Sequence, residues 1–312
     1  MNNNILITGG AGYIGSVLTT NLIENGYKVT VYDNFLYNQS SLNHLCSNEN
    51  FNAINGDVRD QKKLNSLIKK ADIIIPLAAL VGAPICDYDP VGARTINHDS
   101  IENLLKNISK SQIILMPTTN SAYGSGDDNN FCDEKSELRP ISQYAVDKVE
   151  VEEKLMQHQN SVSFRLATVF GMSYRMRIDL LVNDFVLRAL KDKFIVLFEG
   201  HFKRNYIHVQ DVSNVFIHTI NNYENLKNQI FNVGLSTANL SKIELCNAIK
   251  NHLPQFIFLE DTIQKDKDQR NYIVSNEKIE KTGFNPKFSI DDGIKELIKG
   301  YEMLKIKNFS NI

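Results

Sequence analysis

The chain has 312 residues, 42% of them hydrophobic and 22% charged, with a formal net charge of −2. A chain of this length can bury one large core and a smaller lobe, and near-neutral charge without a basic run argues against nucleic acid or a membrane surface as the main partner. No apolar run approaches membrane-spanning length, the start at Met1-Asn2-Asn3-Asn4 lacks the regions of a secretory signal, and four scattered cysteines (Cys46, Cys86, Cys132, Cys246) read as free thiols, so a cytoplasmic protein is expected.

The first half alternates regularly. Asn4 to Thr8 predicts a buried strand and Gly12 to Asn25 a helix stopped by Gly26. Strands are then predicted at Lys28 to Tyr32, Phe51 to Asn55, Asp72 to Pro76, Ile113 to Met116 and Val162 to Leu166. Helices are predicted at Gln61 to Lys70, Val91 to Ser109 and Ser142 to His158. Short strands that are apolar throughout, separated by longer helices, imply βαβ units. The fold class is therefore α/β, a doubly wound parallel sheet over residues 1–171, with ligands at the carboxyl ends of its strands.

Beyond Gly171 the rhythm changes. Helices are predicted at Asp179 to Lys191, Asp211 to Asn222, Leu240 to His252 and Asp291 to Lys305. Strands are predicted at Phe194 to Phe198, Asn205 to Val209 and Ile230 to Val233. Residues 172–312 read mainly as a smaller substrate-binding lobe, interleaved with the sheet, to which part of this later chain returns.

Between the first strand and first helix lies Thr8-Gly9-Gly10-Ala11-Gly12-Tyr13-Ile14-Gly15. Glycines let backbone approach phosphates, and a helix N-terminus favours their negative charge. The spacing Gly-x-x-Gly-x-x-Gly differs from the commoner Gly-x-Gly-x-x-Gly, and a plain glycine turn is the bland alternative. The strand before it and the helix after it point instead to a dinucleotide. Asp33, followed by Asn34, ends the second strand, where a carboxylate accepts from ribose hydroxyls and repels a 2′-phosphate. That favours NAD over NADP, the alternative being a turn-starting aspartate. Asp57 and Val58 follow the third strand, with Asp57 read against the adenine amino group or as a surface residue. Leu77, Ala78 and Ala79 close the fourth with small side chains, suiting backbone that passes close to a cofactor.

Tyr144 and Lys148 stand four apart and project from one helix face. A tyrosine has an ordinary pKa of about 10, so it is a poor base at neutral pH. A neighbouring ammonium and a positive nicotinamide ring both favour the phenolate. Tyr144 would then take a hydroxyl proton while hydride leaves for NAD, and Lys148 would also hold the nicotinamide ribose. A solvated helix face is the alternative. The run Pro117-Thr118-Thr119-Asn120-Ser121-Ala122-Tyr123-Gly124 puts hydroxyls at the carboxyl edge of the sheet, where Thr119 would orient the reacting group. The histidines do not pair at ligand spacing, so no metal site is expected.

Together these residues resemble the extended short-chain dehydrogenase/reductase family of NAD-dependent nucleotide-sugar epimerases and dehydratases, over nearly the whole chain. Arg204-Asn205-Tyr206-Ile207-His208-Val209, Phe231-Asn232-Val233-Gly234 and Gly283-Phe284-Asn285-Pro286 extend the likeness. The resemblance implies a Rossmann domain, NAD as cofactor, a nucleotide sugar as substrate, and a homodimer paired through the helix bearing Tyr144. It makes Tyr144 the base, Lys148 its modulator and Thr119 the hydroxyl partner. Arg204 would grip the substrate diphosphate, with Arg270 as a second clamp and Asn183 facing the same group; a guanidinium fork suits that task.

Departures from the family narrow the reaction. Asn120 and Ser121 stand where the resembling 4,6-dehydratases carry the Asp and Glu that run water elimination, so dehydration is not expected. Thr168 replaces the Asn of many epimerases, which counts against ordinary 4-epimerisation. Leu80-Val81-Gly82-Ala83-Pro84-Ile85-Cys86 and Arg175-Met176-Arg177-Ile178-Asp179-Leu180-Leu181-Val182-Asn183 look closest to a group that oxidises C4 of GDP-D-glycero-D-manno-heptose for capsular or surface polysaccharide. That implies a GDP-sugar contacted by Val81 and Arg177. Arg175 and Arg177 would meet phosphate or sugar, or cover the lobe surface. The expected reaction is oxidation of C4 to a ketone, the alternatives being a 4-epimerase and a non-catalytic NAD-sensing protein.

Overall fold

The computed structural model describes residues 3–124, 131–261 and 270–304. Among them, β1 (Asn4–Thr8), β2 (Lys28–Asp33), β3 (Phe51–Asn55), β4 (Ile73–Pro76), β5 (Ile113–Thr119), β6 (Ser161–Leu166) and β7 (Gln229–Val233) form one sheet. Their order is β3-β2-β1-β4-β5-β6-β7, and every pairing is parallel. The chain leaves β1 in one direction and resumes at β4 in the other, so the sheet's switch point falls between those strands, where a crevice opens at their carboxyl ends.

The central strands β1 and β4 are largely apolar and buried because both faces are covered, whereas the edge strand β3 leaves Asn52, Ala53 and Asn55 exposed. Ile5, Ile7, Val29 and Val31 pack on one side with helices Tyr13–Glu24 and Val209–Asn221. Leu6, Tyr32, Ile74, Ile114 and Met116 pack on the other with helices Gln61–Ile68, Ser100–Asn107 and Gln143–Leu155. A third cluster joins helices Leu181–Lys191, Lys242–His252 and Ile290–Met303 to Ile195, Leu197 and Tyr206. Tyr13 and Val17 belong to this cluster, so the first helix touches the sheet on one side and the later chain on the other.

Several elements differ from the pattern in the sequence. The expected helix from Val91 to Ser109 is broken into Pro90–Arg94, a π turn at Thr95–Asp99 and Ser100–Asn107. The π turn sets the Asn97 side chain against Leu80, accepting from its N–H at 2.8 Å and donating to its carbonyl at 2.9 Å. β5 runs three residues past Met116 to Thr119. The helix expected from Leu240 starts at Lys242, because Asn239–Ser241 pairs with Lys203–His208 and Ser241 closes a capping box with Glu244. The strands Ile257–Asp261, paired with Phe194–Phe198, and Ile273–Val274, paired with Phe131–Cys132, were not anticipated. The last helix ends at Met303; Lys305, like Met1 and Asn2, lies outside the described residues. Among those described, no helix is long and apolar enough to cross a membrane.

Candidate active site

β1 runs into the glycine turn at the switch point. Gly9 has φ of +72°, and a Cβ there would lie 2.5 Å from the Ala78 nitrogen, so only glycine fits. Among the described residues no side chain caps helix Tyr13–Glu24 at Gly12, which leaves its first N–H groups for an anion. Asp33 Oδ2 accepts from the Ala11 N–H at 2.9 Å and Oδ1 from the Phe35 N–H at 2.8 Å, fixing the carboxylate at the rim. Burial raises its pKa above the usual carboxylate value, opposed by those N–H bonds and by Arg175.

A cleft opens here, lined by Gly9, Gly12, Asp33, Asn34, Asp57 and Val58, together with Leu77, Ala78 and Ala79. Asp57 forms a two-point pair with Arg59 at 2.6 and 2.9 Å. The hydrogen bonds from Arg59 hold its carboxyl below the usual range. The Tyr13 side chain turns away from the cleft, its hydroxyl donating to the Gly171 carbonyl at 2.6 Å. Ile14 packs between two clusters, and Gly15 sits where a Cβ would strike the Gly9 carbonyl. The glycine turn, open helix end and rim carboxylate fit a dinucleotide.

Helix Gln143–Leu155 begins at Ser142, whose Oγ accepts from the Ala145 N–H. Tyr144 is half-buried and packs against the cluster of Leu80, Cys86 and Ala93. Lys148 is 5% exposed, with Nζ 6.0 Å from the Tyr144 ring centroid. Burial pushes the Tyr144 hydroxyl up to about 12, helped by the Cys86 thiol and opposed by Arg177 and Arg270. Burial brings Lys148 down to about 8, which leaves it an ammonium at neutral pH. Thr119 ends β5, its Oγ1 accepting from the Ser121 N–H at 3.0 Å, so the hydroxyl proton remains to be donated. Arg270 contacts the Ser121 hydroxyl. Asn120 is fully buried, yet neither its amide nitrogen nor its oxygen has a hydrogen-bond partner among the described residues, an exception to the rule for buried amides.

One turn beyond Lys148, Glu152 anchors the helix from behind. Its carboxylate accepts from Thr118 (2.8 Å), Ser163 (2.6 Å) and twice from Arg165 (2.6 and 3.0 Å). Thr118 belongs to β5, Ser163 and Arg165 to β6. The strand that ends in Thr119 and the helix that carries Tyr144 are thus held in one register.

The remaining expected residues are distributed unevenly. Thr119, Ser121, Tyr144, Arg177 and Arg270 share one region, linked by contact or by charge. Arg177 forms a two-point pair with Asp179, the shorter bond 2.6 Å. Arg204 is buried on the strand Lys203–His208, its guanidinium carbon 5.6 Å over the Tyr272 ring. Thr168 opens a short strand and pairs with Tyr206. Val81 is half-buried just after Leu80. Asn183 is fully buried and its amide already bonded: Oδ1 accepts from the Gly171 N–H at 3.0 Å, and Nδ2 donates to the Arg177 carbonyl at 2.8 Å. In this arrangement it fixes the loop that carries Arg177. Arg175, read from the sequence as meeting phosphate or sugar or covering the lobe surface, lines the cleft beside Tyr37; Tyr37 and the Glu152–Arg165 anchor carry no local signal, since each depends on residues far apart in the chain.

The model of the NAD dependent epimerase/dehydratase family matches residues 5–234. CDP-paratose 2-epimerase from Salmonella typhi is 25% identical, the match covering 94% of this chain and 97% of that one. UDP-glucuronic acid decarboxylase 1 from Danio rerio is 27% identical, over 95% and 72%. Among solved structures, UDP-glucuronic acid 4-epimerase from Bacillus cereus, in complex with UDP-glucuronic acid and NAD, superposes with a TM-score of 0.84 at 22% identity, covering 96% and 99%.

Proposed function

Since this chain belongs to the NAD dependent epimerase/dehydratase family, we propose that it oxidises the C4 hydroxyl of a nucleotide-activated sugar to a ketone. Its cofactor is NAD, held by the glycine turn, the first N–H groups of helix Tyr13–Glu24 and Asp33. When bound, the nicotinamide supplies the hydride acceptor. Tyr144 takes the C4 hydroxyl proton. Lys148 keeps a positive charge beside the phenolate that this requires. Thr119 donates its hydroxyl proton to the C4 oxygen and orients it. The buried Asn120 amide hydrogen-bonds a sugar oxygen next to Thr119, and Ser121 and Val81 border the same sugar. Arg177, Arg204 and Arg270 supply positive charge for the diphosphate, with Asn183 and Thr168 supporting the segments that carry the site.

The observation that carries this reading is the grouping of Tyr144, Lys148 and Thr119 with uncharged Asn120 and Ser121. The trio is equipped to form a ketone, while the two neighbours have no carboxylic acid with which to protonate a departing hydroxyl. The likeness of residues 80–86 and 175–183 to GDP-heptose 4-dehydrogenases favours GDP-D-glycero-D-manno-heptose as substrate, for capsular or surface polysaccharide. We place the enzyme in the cytoplasm as a homodimer. A second reading, epimerisation, is favoured by the similarity to CDP-paratose 2-epimerase along 94% of the chain; at C4 it would use the same trio and return hydride to the opposite face.

Replacing Tyr144 by Phe tests the chemistry. NAD affinity should stay within about twofold, and turnover should fall by about 10²-fold or more, the usual worth of a positioned acid–base group. Unchanged turnover would remove Tyr144 from the mechanism.

A further inference from the structure

Residues 171–177 form a strap between the strand Thr168–Phe170 and the loop that carries Arg177. It is tied to the cofactor side of the molecule along its length. The Tyr13 hydroxyl donates to the Gly171 carbonyl at 2.6 Å, and Ser173 Oγ donates to the Tyr13 carbonyl at 2.6 Å. Ser173 Oγ also lies 3.0 Å from Ser16 Oγ, which accepts from the Arg175 N–H at 3.3 Å. The Met176 N–H donates to Gln39 Oε1 at 3.0 Å. Tyr13 and Ser16 stand at the start of the helix whose N-terminus meets the cleft, and Gln39 lines the cleft itself.

These bonds carry Arg175 into the cleft wall. Its side chain is buried, 2% exposed, with the guanidinium carbon 3.8 Å from the Tyr37 ring centroid. Tyr37, Asp33 and Gly12 line the same cleft. Burial and the neighbouring Arg177 lower the Arg175 pKa to about 10, so it remains a cation at neutral pH. Burying a cation is costly unless an anion or an aromatic face compensates it. Tyr37 provides the face, and Asp179 and Asp33 provide negative charge. A dinucleotide brings its phosphates to the glycine turn on which this strap is pinned, and a planar guanidinium matches a phosphate at two points.

We propose that Arg175 is a cofactor-binding residue, which donates to the adenosine-side phosphate of the dinucleotide while Tyr37 holds its plane, so that the strap closes the cleft over the cofactor. The assignment rests on NAD as the cofactor, and the test separates the two. Calorimetric titrations with NAD, ADP-ribose and adenosine are made on nucleotide-free wild type, R175M, R175K and S173A, each checked for folding by thermal melting. R175M should weaken NAD and ADP-ribose by at least about tenfold and adenosine by less than about twofold. R175K, which keeps the charge but loses the fork, should fall between R175M and wild type. S173A, which unpins the strap and keeps the cation, should speed NAD dissociation in stopped flow. Wild-type NAD affinity retained by folded R175M would overturn the proposal and leave the cofactor reading intact. An equal loss on adenosine would overturn the phosphate assignment. A wild type that binds none of the three ligands would overturn the cofactor reading itself.

Discussion

Glu152→Gln isolates the anchor behind the catalytic helix. The substitution preserves shape but removes the negative charge facing Arg165, and both side chains are only 5% exposed. Arg165 keeps a bond to the Tyr123 hydroxyl at 3.0 Å, but no longer has a carboxylate beside it. Breaking a buried pair from one side costs about 3–5 kcal/mol, because the other charge is left uncompensated. For 312 residues the unfolding entropy is about 0.65 kcal/mol/K, so Tm should drop by about 5–8 °C. Differential scanning calorimetry reads the shift. The double variant Glu152→Met/Arg165→Met should recover most of it, since neither charge then remains buried. A Tm within about 1 °C of wild type for E152Q would refute the claim that this pair fixes the helix. So would a double variant less stable than E152Q.

Lys148 titrates near 8 in the folded protein against 10.5 for an ordinary lysine, so between those values the unfolded chain binds more protons and stability rises with pH. K148M should therefore melt above wild type at pH 7, with the gap closing toward about pH 9.5, below the range in which Tyr144 ionises; a gap that widens with pH would contradict the burial of a charged Lys148. D33N keeps only one of the two oxygens that accept from the Ala11 and Phe35 N–H groups and loses the charge that repels a 2′-phosphate, so the ratio of NADP to NAD dissociation constants should shrink by at least about tenfold; an unchanged ratio in titration would assign the discrimination elsewhere.

The features legible in the sequence were local ones. A strand covered on both faces is apolar throughout, so β1 and β4 declare themselves, and a glycine turn between strand and helix has few uses. Tyr144 and Lys148 were visible because four residues is one helical turn. What escaped depends on bonds across long separations. Thr118 and Thr119 look like turn residues, yet β5 continues through them because Glu152, far along the chain, accepts from Thr118. Asn183 looked like an amide for a ligand, whereas Gly171 and Arg177 use its hydrogen-bonding groups. Arg175 read as surface or phosphate-binding; only its strap's bonds to Tyr13, Ser16 and Gln39 reveal which cleft it enters.

The proposed activity is net oxidation at C4 of a nucleotide sugar. Mass spectrometry of GDP-, UDP-, dTDP- and CDP-sugars, GDP-heptose among them, incubated with the enzyme and NAD in heavy water tests it most directly. The GDP-heptose sample should yield a product lighter by two hydrogens, or its hydrate, with absorbance from reduced nicotinamide rising in step. An isomer of unchanged mass without reduced nicotinamide would make the enzyme an epimerase, and loss of water would contradict the roles given to Asn120 and Ser121.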